Sequence, residues 1–261
     1  MNMLPLLRQE LECFFAGLSF YTRIPTPAWV KYKPENLNKS RKYLALIGVF
    51  VGSVGALVLL SLSFVLPSSV SILLSMVATV YITGAFHEDG FADSCDGFGG
   101  GWEKAQVLSI MKDSRMGSYG VVGLLLLFGL KFLVLWELFQ VNLSLVLITL
   151  VLAHAVSRLM ASVVMQYFAY VSHIETSKSH QVASLRLSNK NMLLSALPIF
   201  IILAFSLDWR YFVALLMSLL VAGVLGQYFK KRIGGYTGDC LGAVQQVTEV
   251  GFCVMVLMLA N

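Results

Sequence analysis

Seven stretches of the chain stay apolar long enough to cross a hydrocarbon core about 30 Å thick, which takes about 20 residues of helix. They run over 42–66, 68–86, 119–139, 142–168, 191–207, 209–229 and 241–260. The predicted fold is therefore all-α: a polytopic membrane bundle of about seven transmembrane helices. A shorter apolar stretch from Leu11 to Thr22, followed by Pro25 and Pro27, cannot span and reads as an interfacial or re-entrant segment. No internal repeat is visible, and an odd number of spans does not divide into two inverted halves. Residues 1–261 are read as a single membrane-embedded domain.

Composition agrees with this pattern. Hydrophobic residues make up 57% of the 261 and charged residues 13%, against roughly 25% charged in soluble domains. A cytosolic globule is excluded, because its surface would be largely apolar without lipid to cover it. The net charge of +5 does not point to nucleic acid here, because the basic residues flank the apolar runs and read as topology signals. Arg8, Arg23, Lys31, Lys33, Lys39, Arg41 and Lys42 precede or open the first span. Lys104, Lys112 and Arg115 follow the second, Lys178, Arg186 and Lys190 the fourth, and Lys230, Lys231 and Arg232 end the sixth. The opposite side carries only Arg210. This asymmetry predicts a cytoplasmic amino terminus, an external Asn261, and every long polar segment on the cytoplasmic face of the inner membrane. The first residues lack the pattern of a cleaved signal peptide. Cys13, Cys95, Cys240 and Cys253 are too scattered to suggest a disulfide framework or a zinc ribbon.

Six of the fourteen acidic residues fall between Glu88 and Asp113. If 85–97 continues the second span as a helix, Asp89, Asp93 and Asp96 stand at i, i+4 and i+7 and stack on one face. Three like charges on one stripe repel, and a divalent cation relieves them. Hard carboxylate oxygens without sulfur suit magnesium or manganese. The alternative is an acidic surface loop, but Gly90, Ala92, Ser94 and Gly97 leave room for a large ligand. His87, just before the stripe, either positions a substrate, moves a proton or is a satisfied interfacial histidine.

Two glycine-containing turns share this side. Lys112 to Gly120 includes Asp113, Ser114 and Arg115, whose planar guanidinium matches a phosphate. Gly234 to Gly242 includes Thr237 and Asp239. Neither is a Walker A loop. Lys131, Arg158, His154, Gln245 and Glu249 lie inside spans, where burial demands partners. Glu249 is expected to pair with Arg158 or Lys131, the alternative for Arg158 being a cationic wall deep in a cavity.

Four stretches carry a family resemblance: F-x-T-R-x-P-x-P at Phe20 to Pro27, G-x-F-H-x-D-G-x-A-D-x-x-D-G at Gly84 to Gly97, M-x-D-S-R-x-G at Met111 to Gly117, and G-G-x-T-G-D-x-L-G-A at Gly234 to Ala243. The chain resembles the cobalamin synthases, the adenosylcobinamide-GDP ribazoletransferases. Ser157, Arg158 and Glu249 also look like family positions. The loop from Ser172 to Asn189 departs from the expected Arg- and Gly-containing segment. The resemblance implies magnesium-dependent transfer of the adenosylcobinamide phosphoryl group from adenosylcobinamide-GDP to α-ribazole or its 5'-phosphate, with GMP leaving. It implies Asp89, Asp93 and Asp96 on the metal and His87, Asp113 and Asp239 in catalysis. Arg23, Ser114, Arg115, Arg158 and Thr237 would then bind substrate. The expected partners are these substrates and the lipid bilayer, with a homo-oligomer left open. The rival readings are a transporter of a divalent cation or corrinoid, and a CDP-alcohol phosphotransferase, whose motif Asp93-x-x-Asp96-Gly97 echoes in part.

Overall fold

The computed structural model describes residues 3–30, 33–171 and 186–260. The chain runs through α1 (Met3–Tyr21), α2 (Pro34–Lys39), a 3-10 turn (Ser40–Tyr43), α3 (Leu44–Leu62), α4 (Ser68–Thr83), α5 (Phe86–Gly100) and α6 (Lys104–Met111). It continues through α7 (Ser118–Val141), α8 (Leu143–Tyr167), α9 (Asn189–Ser206), α10 (Trp209–Ile233) and α11 (Gly238–Ala260). Six helices are long and apolar enough to cross a membrane, and α4 with α5 makes a seventh if the bent pair counts as one span. The expected helical bundle is therefore the observed one. The segment from Leu11 forms the end of α1, which is not among the candidate spans.

Helix α8 is the centre. Its apolar window is 72% buried, against 11% for α9, so α8 is surrounded by protein while α9 faces outward over most of its surface. Asn142 opens α8 by accepting the backbone N–H groups of Ser144 and Leu145 at 2.8 and 3.2 Å, an N-cap of the usual chemistry. The tightest crossing is with α3. A side-chain carbon at Gly48 would lie 2.3 Å from the carbonyl oxygen of His154, and one at Gly52 would lie 2.7 Å from the Cα of Val151. Two small residues four apart thus let the backbones touch, which is how apolar helices gain packing where lipid offers no hydrophobic driving force.

The structure corrects the second span. Residues 85–97 do not continue it: the helix stops at Thr83, and α5 leaves at 90°. Gly84 and Ala85 both adopt left-handed backbone, with φ of 68° and 57°. Glycine takes that conformation freely and alanine does not, so Ala85 holds a residue-level strain at the bend. The carboxylates of α5 are thereby carried sideways over the neighbouring helices, chiefly α11 and α7, instead of continuing along the axis of α4.

Beyond α8 the chain is tied down. Val171 N–H donates to Tyr236 O at 2.8 Å and Tyr236 N–H to Ala169 O at 2.9 Å, a two-bond parallel bridge to the turn before α11. On the return, the Gln166 side chain accepts from Leu187 N–H and donates to Leu187 O, both at 3.0 Å. Most of the loop that departs from the family pattern, 172–185, lies outside the described residues.

Candidate active site

The site is built where α5 crosses the start of α11. A side-chain carbon at Gly90 would stand 3.0 Å from Asp239 Cα, and one at Gly242 would stand 2.8 Å from His87 O. The two backbones meet at these glycines, which sets Asp239 beside the carboxylate stripe of α5. Asp93 feels the charges of Asp239, Asp89 and Asp96. Asp89 is exposed, Asp93 half-buried and Asp96 buried. Among the described residues no Lys or Arg stands within ion-pairing distance of Asp89, Asp93, Asp96 or Asp239.

The three aspartates of α5 are not equivalent. Asp96 accepts Gly117 N–H at 2.8 Å and Gly120 N–H at 2.9 Å, so its carboxylate caps the start of α7 from a neighbouring helix. Side-chain carbons at Gly117 and Gly120 would lie 2.3 and 2.5 Å from that carboxylate, which is why both positions are glycine. Asp89 and Asp93 carry no such commitment. No three His, Cys, Asp or Glu side chains among the described residues are gathered closely enough to enclose an ion. The donor chemistry still suits a hard divalent cation, with carboxylate oxygens, no sulfur and no cationic partners among the described residues.

Thr237 is the N-cap of α11, its hydroxyl accepting Cys240 N–H at 3.2 Å and lying 3.4 Å from an Asp239 carboxylate oxygen. The positive end of the α11 dipole is thus beside the carboxylates, a place suited to a phosphate. His87 is buried, with its ring stacked on Tyr21 at 6.3 Å, and it lines a cavity of about 40 Å³ with Arg158, Gly238 and Gly242. That volume admits a water, not a nucleoside.

The buried charges pair as expected. Lys131 Nζ lies 2.5 Å from Glu249 Oε1, His154 Nδ1 2.8 Å from Oε2, and Arg158 Nη1 3.9 Å from Oε2. Arg158 is the ion-pair member expected, and it also borders the small cavity. Sequence reading missed the link from this cluster to α5. Glu249 accepts from Gln245 at 2.5 Å, Gln245 accepts from Gln246 at 2.8 Å, and Gln246 donates to Glu88 at 2.9 Å. The adjacent Gln245 and Gln246 in an apolar span were the available signal. Arg41, counted above as a flanking cation, is fully buried.

The second turn is arranged otherwise. Arg115 is exposed and forks onto Asp113, with Nε to Oδ1 at 3.0 Å and Nη2 to Oδ2 at 2.6 Å; Ser114 is exposed. These hydrogen bonds hold the Asp113 carboxyl at about 2, well below the usual carboxylate range, so it is a poor proton acceptor in this pairing. Arg23 lies elsewhere, over the Tyr81 ring at 5.2 Å and lining a separate groove between α4 and α7.

Comparison with known proteins decides the family. The model of the cobalamin-5-phosphate synthases matches residues 13–257. The chain belongs to that family. Proteins named adenosylcobinamide-GDP ribazoletransferase are similar to it over nearly their whole length. The one from Shewanella woodyi is 43% identical, over 96% of this chain and 97% of its own. That from Shewanella frigidimarina is 44% identical over 96% and 95%, and that from Leptothrix cholodnii 42% over 94% of each. No solved structure matches the chain. The family resemblance carried by the four stretches is borne out, and this membrane bundle belongs to the enzymes of cobalamin synthesis.

Proposed function

We propose that the chain transfers the adenosylcobinamide phosphoryl group from adenosylcobinamide-GDP to the ribose hydroxyl of α-ribazole or α-ribazole 5'-phosphate. The hydroxyl oxygen bonds to the cobinamide-linked phosphorus, the bond from that phosphorus to the bridging oxygen breaks, and GMP leaves. The product is adenosylcobalamin or its 5'-phosphate. The observation that supports this reading is the α5–α11 crossing, which brings Asp239 to the carboxylate stripe of α5, where Asp93 feels the charges of Asp89, Asp96 and Asp239, with no cationic partner on these groups among the described residues.

Magnesium, when bound, would draw charge from the pyrophosphate oxygens. Asp89 and Asp93 would hold it, with Asp239 across from them and Asp96 contributing through whatever lone pairs its capping role leaves. Asp239 would take the proton of the attacking hydroxyl, a role for which Asp113 is less suited because it is committed to Arg115. His87 and Arg158 border a cavity too small for a nucleoside, so they would act on the substrates through charge and a water held there and not by enclosing the nucleotide. Arg115 would exchange Asp113 for a substrate phosphate, as its fork geometry allows. The site would face the cytoplasm across the inner membrane, as the distribution of Lys and Arg predicts.

The test is to supply purified protein in detergent with adenosylcobinamide-GDP and α-ribazole, with and without magnesium. Cobalamin and GMP forming in equal amounts, only with the metal, is the expected result. Absence of product with active relatives as controls would overturn the assignment. Product from CDP-diacylglycerol instead would move the chain to the CDP-alcohol class. Cysteines introduced at Gly100 and Asn142 should be labelled from opposite sides, Gly100 from the cytoplasm.

A further inference from the structure

A second cavity lies apart from the site just described. It is a groove of about 690 Å³ between α4 and α7, lined by Leu73, Met76, Val77, Val80 and Tyr81 on one wall and Leu125, Phe128, Gly129 and Phe132 on the other. Leu73, Val77, Tyr81 and Leu125 are exposed, as the sides of two membrane helices would be if the groove opened to lipid. The lining is apolar except at one end, where Arg23 closes it against Gly84 and Ala85.

From the geometry we infer that this groove holds one acyl chain of an anionic phospholipid, with the lipid phosphate on Arg23. Three observations carry it. The first is length. From Leu73 to Gly84 is eleven residues of α4, or about 16 Å, and one leaflet of the hydrocarbon core is about 15 Å deep. The second is charge. Arg23 is exposed, its guanidinium carbon stands 5.2 Å from the centre of the Tyr81 ring, and no acidic side chain among the described residues pairs with it. A guanidinium held over an aromatic ring without a carboxylate partner keeps N–H donors for phosphate oxygens. The backbone holds it in place as well, with Arg23 N–H donating to Ile82 O at 2.7 Å. The third is the floor of the groove. A side-chain carbon at Gly129 would meet nothing within 4 Å, so the space there is left open by the absence of a side chain and not by a neighbour's shape.

The lipid would therefore lie against the α4–α5 bend, on which the carboxylates of α5 depend for their direction. It would act as a brace on that bend. This is independent of which phosphoryl acceptor the enzyme uses.

The experiment reconstitutes full-length protein into nanodiscs of phosphatidylglycerol and phosphatidylcholine in equal parts. The protein is then extracted gently, and the phospholipid retained is counted by native mass spectrometry. Wild type should retain one phosphatidylglycerol, several-fold in preference to phosphatidylcholine. R23Q should abolish the preference, R23K should keep part of it, and G129F should displace the lipid whatever its headgroup. Equal retention of both lipids by wild type, or retention untouched by both R23Q and G129F, would overturn the proposal. So would retention of a corrinoid or nucleotide in place of lipid, which would return Arg23 to the substrates. Because G129F meets open space, its helical content and monodispersity should match wild type and separate displacement from misfolding.

Discussion

The molecule holds two concentrations of charge a short distance apart, and they are solved in opposite ways. Around Glu249 the chain supplies both signs. Lys131, His154 and Arg158 converge on one carboxylate, and all four groups are buried. Around Asp93 it supplies one sign, with the described residues placing no cation on any of four carboxylates. A buried cluster that pairs its cations with a carboxylate of its own invites no external cation, so it serves the fold. A half-exposed cluster that is not compensated is an invitation to an external cation. Charge content alone would not have separated them; partner content does.

Removing Glu249 should produce the largest stability effect. Glu249→Gln leaves Lys131 and Arg158 buried without their counter-charge, and a loss of about 3–5 kcal/mol is expected. Thermal unfolding in detergent checks it. The double change Lys131→Met with Glu249→Leu should recover part of that loss, since only Arg158 is then left without its counter-charge. A double variant as unstable as the single one would mean that the cluster contributes more than mutual compensation.

The opposite behaviour is expected at the other cluster. Asp93→Asn should cost on the order of 100-fold in turnover while leaving thermal stability unchanged or raised, because it relieves repulsion among carboxylates. Asp89→Asn should act similarly, with the magnesium requirement moved to higher concentration. Full activity with unaltered metal dependence in both would remove the cation from this site.

Asp96 tests the boundary between the two behaviours. Its oxygens accept two backbone N–H groups, so Asp96→Asn should cost about 1–2 kcal/mol of stability. Its magnesium midpoint should move less than that of the Asp93 variant. A shift in metal dependence as large as at Asp93, with stability intact, would make it a ligand first and a cap second.

The smallest effects should come from paired Arg to Lys changes. Arg115→Lys should lower turnover several-fold with no change in unfolding temperature, because Arg115 is 87% exposed and its work is geometric. Arg158→Lys should weaken the reaction with α-ribazole 5'-phosphate more than with α-ribazole. Equal losses with both acceptors would confine Arg158 to its pairing with Glu249.

Much of this was legible in the chain. The apolar runs gave the spans to within a few residues, because length and hydropathy alone decide whether a helix can cross. The pairing of Glu249 with Lys131 was legible because a lone charge inside a membrane is too costly to leave alone. The bend before α5 was not. It sits inside a continuous apolar run, and Ala85 in a left-handed conformation is the reverse of what alanine prefers. The capping by Asp96 was hidden because its partners are 21 and 24 residues away and are backbone groups, which carry no residue signature. The line from Glu88 through Gln246 and Gln245 was hidden for a related reason: it exists only once α5 lies across α11.

The ties at the two ends of 172–186 bear on how this protein can vary. Val171 is fastened to Tyr236, and Leu187 to Gln166, so the chain on either side of the intervening fifteen residues is held to the bundle by hydrogen bonds. Closing a loop between fixed ends costs entropy that grows only with the logarithm of its length, about 0.6 kcal/mol for each doubling. Insertions or deletions there would barely tax the stability of the helices. Val171 is tied to Tyr236, the residue before the Thr237 cap. The crossing of α5 with α11, by contrast, permits almost no change, because the two backbones meet at Gly90 and Gly242.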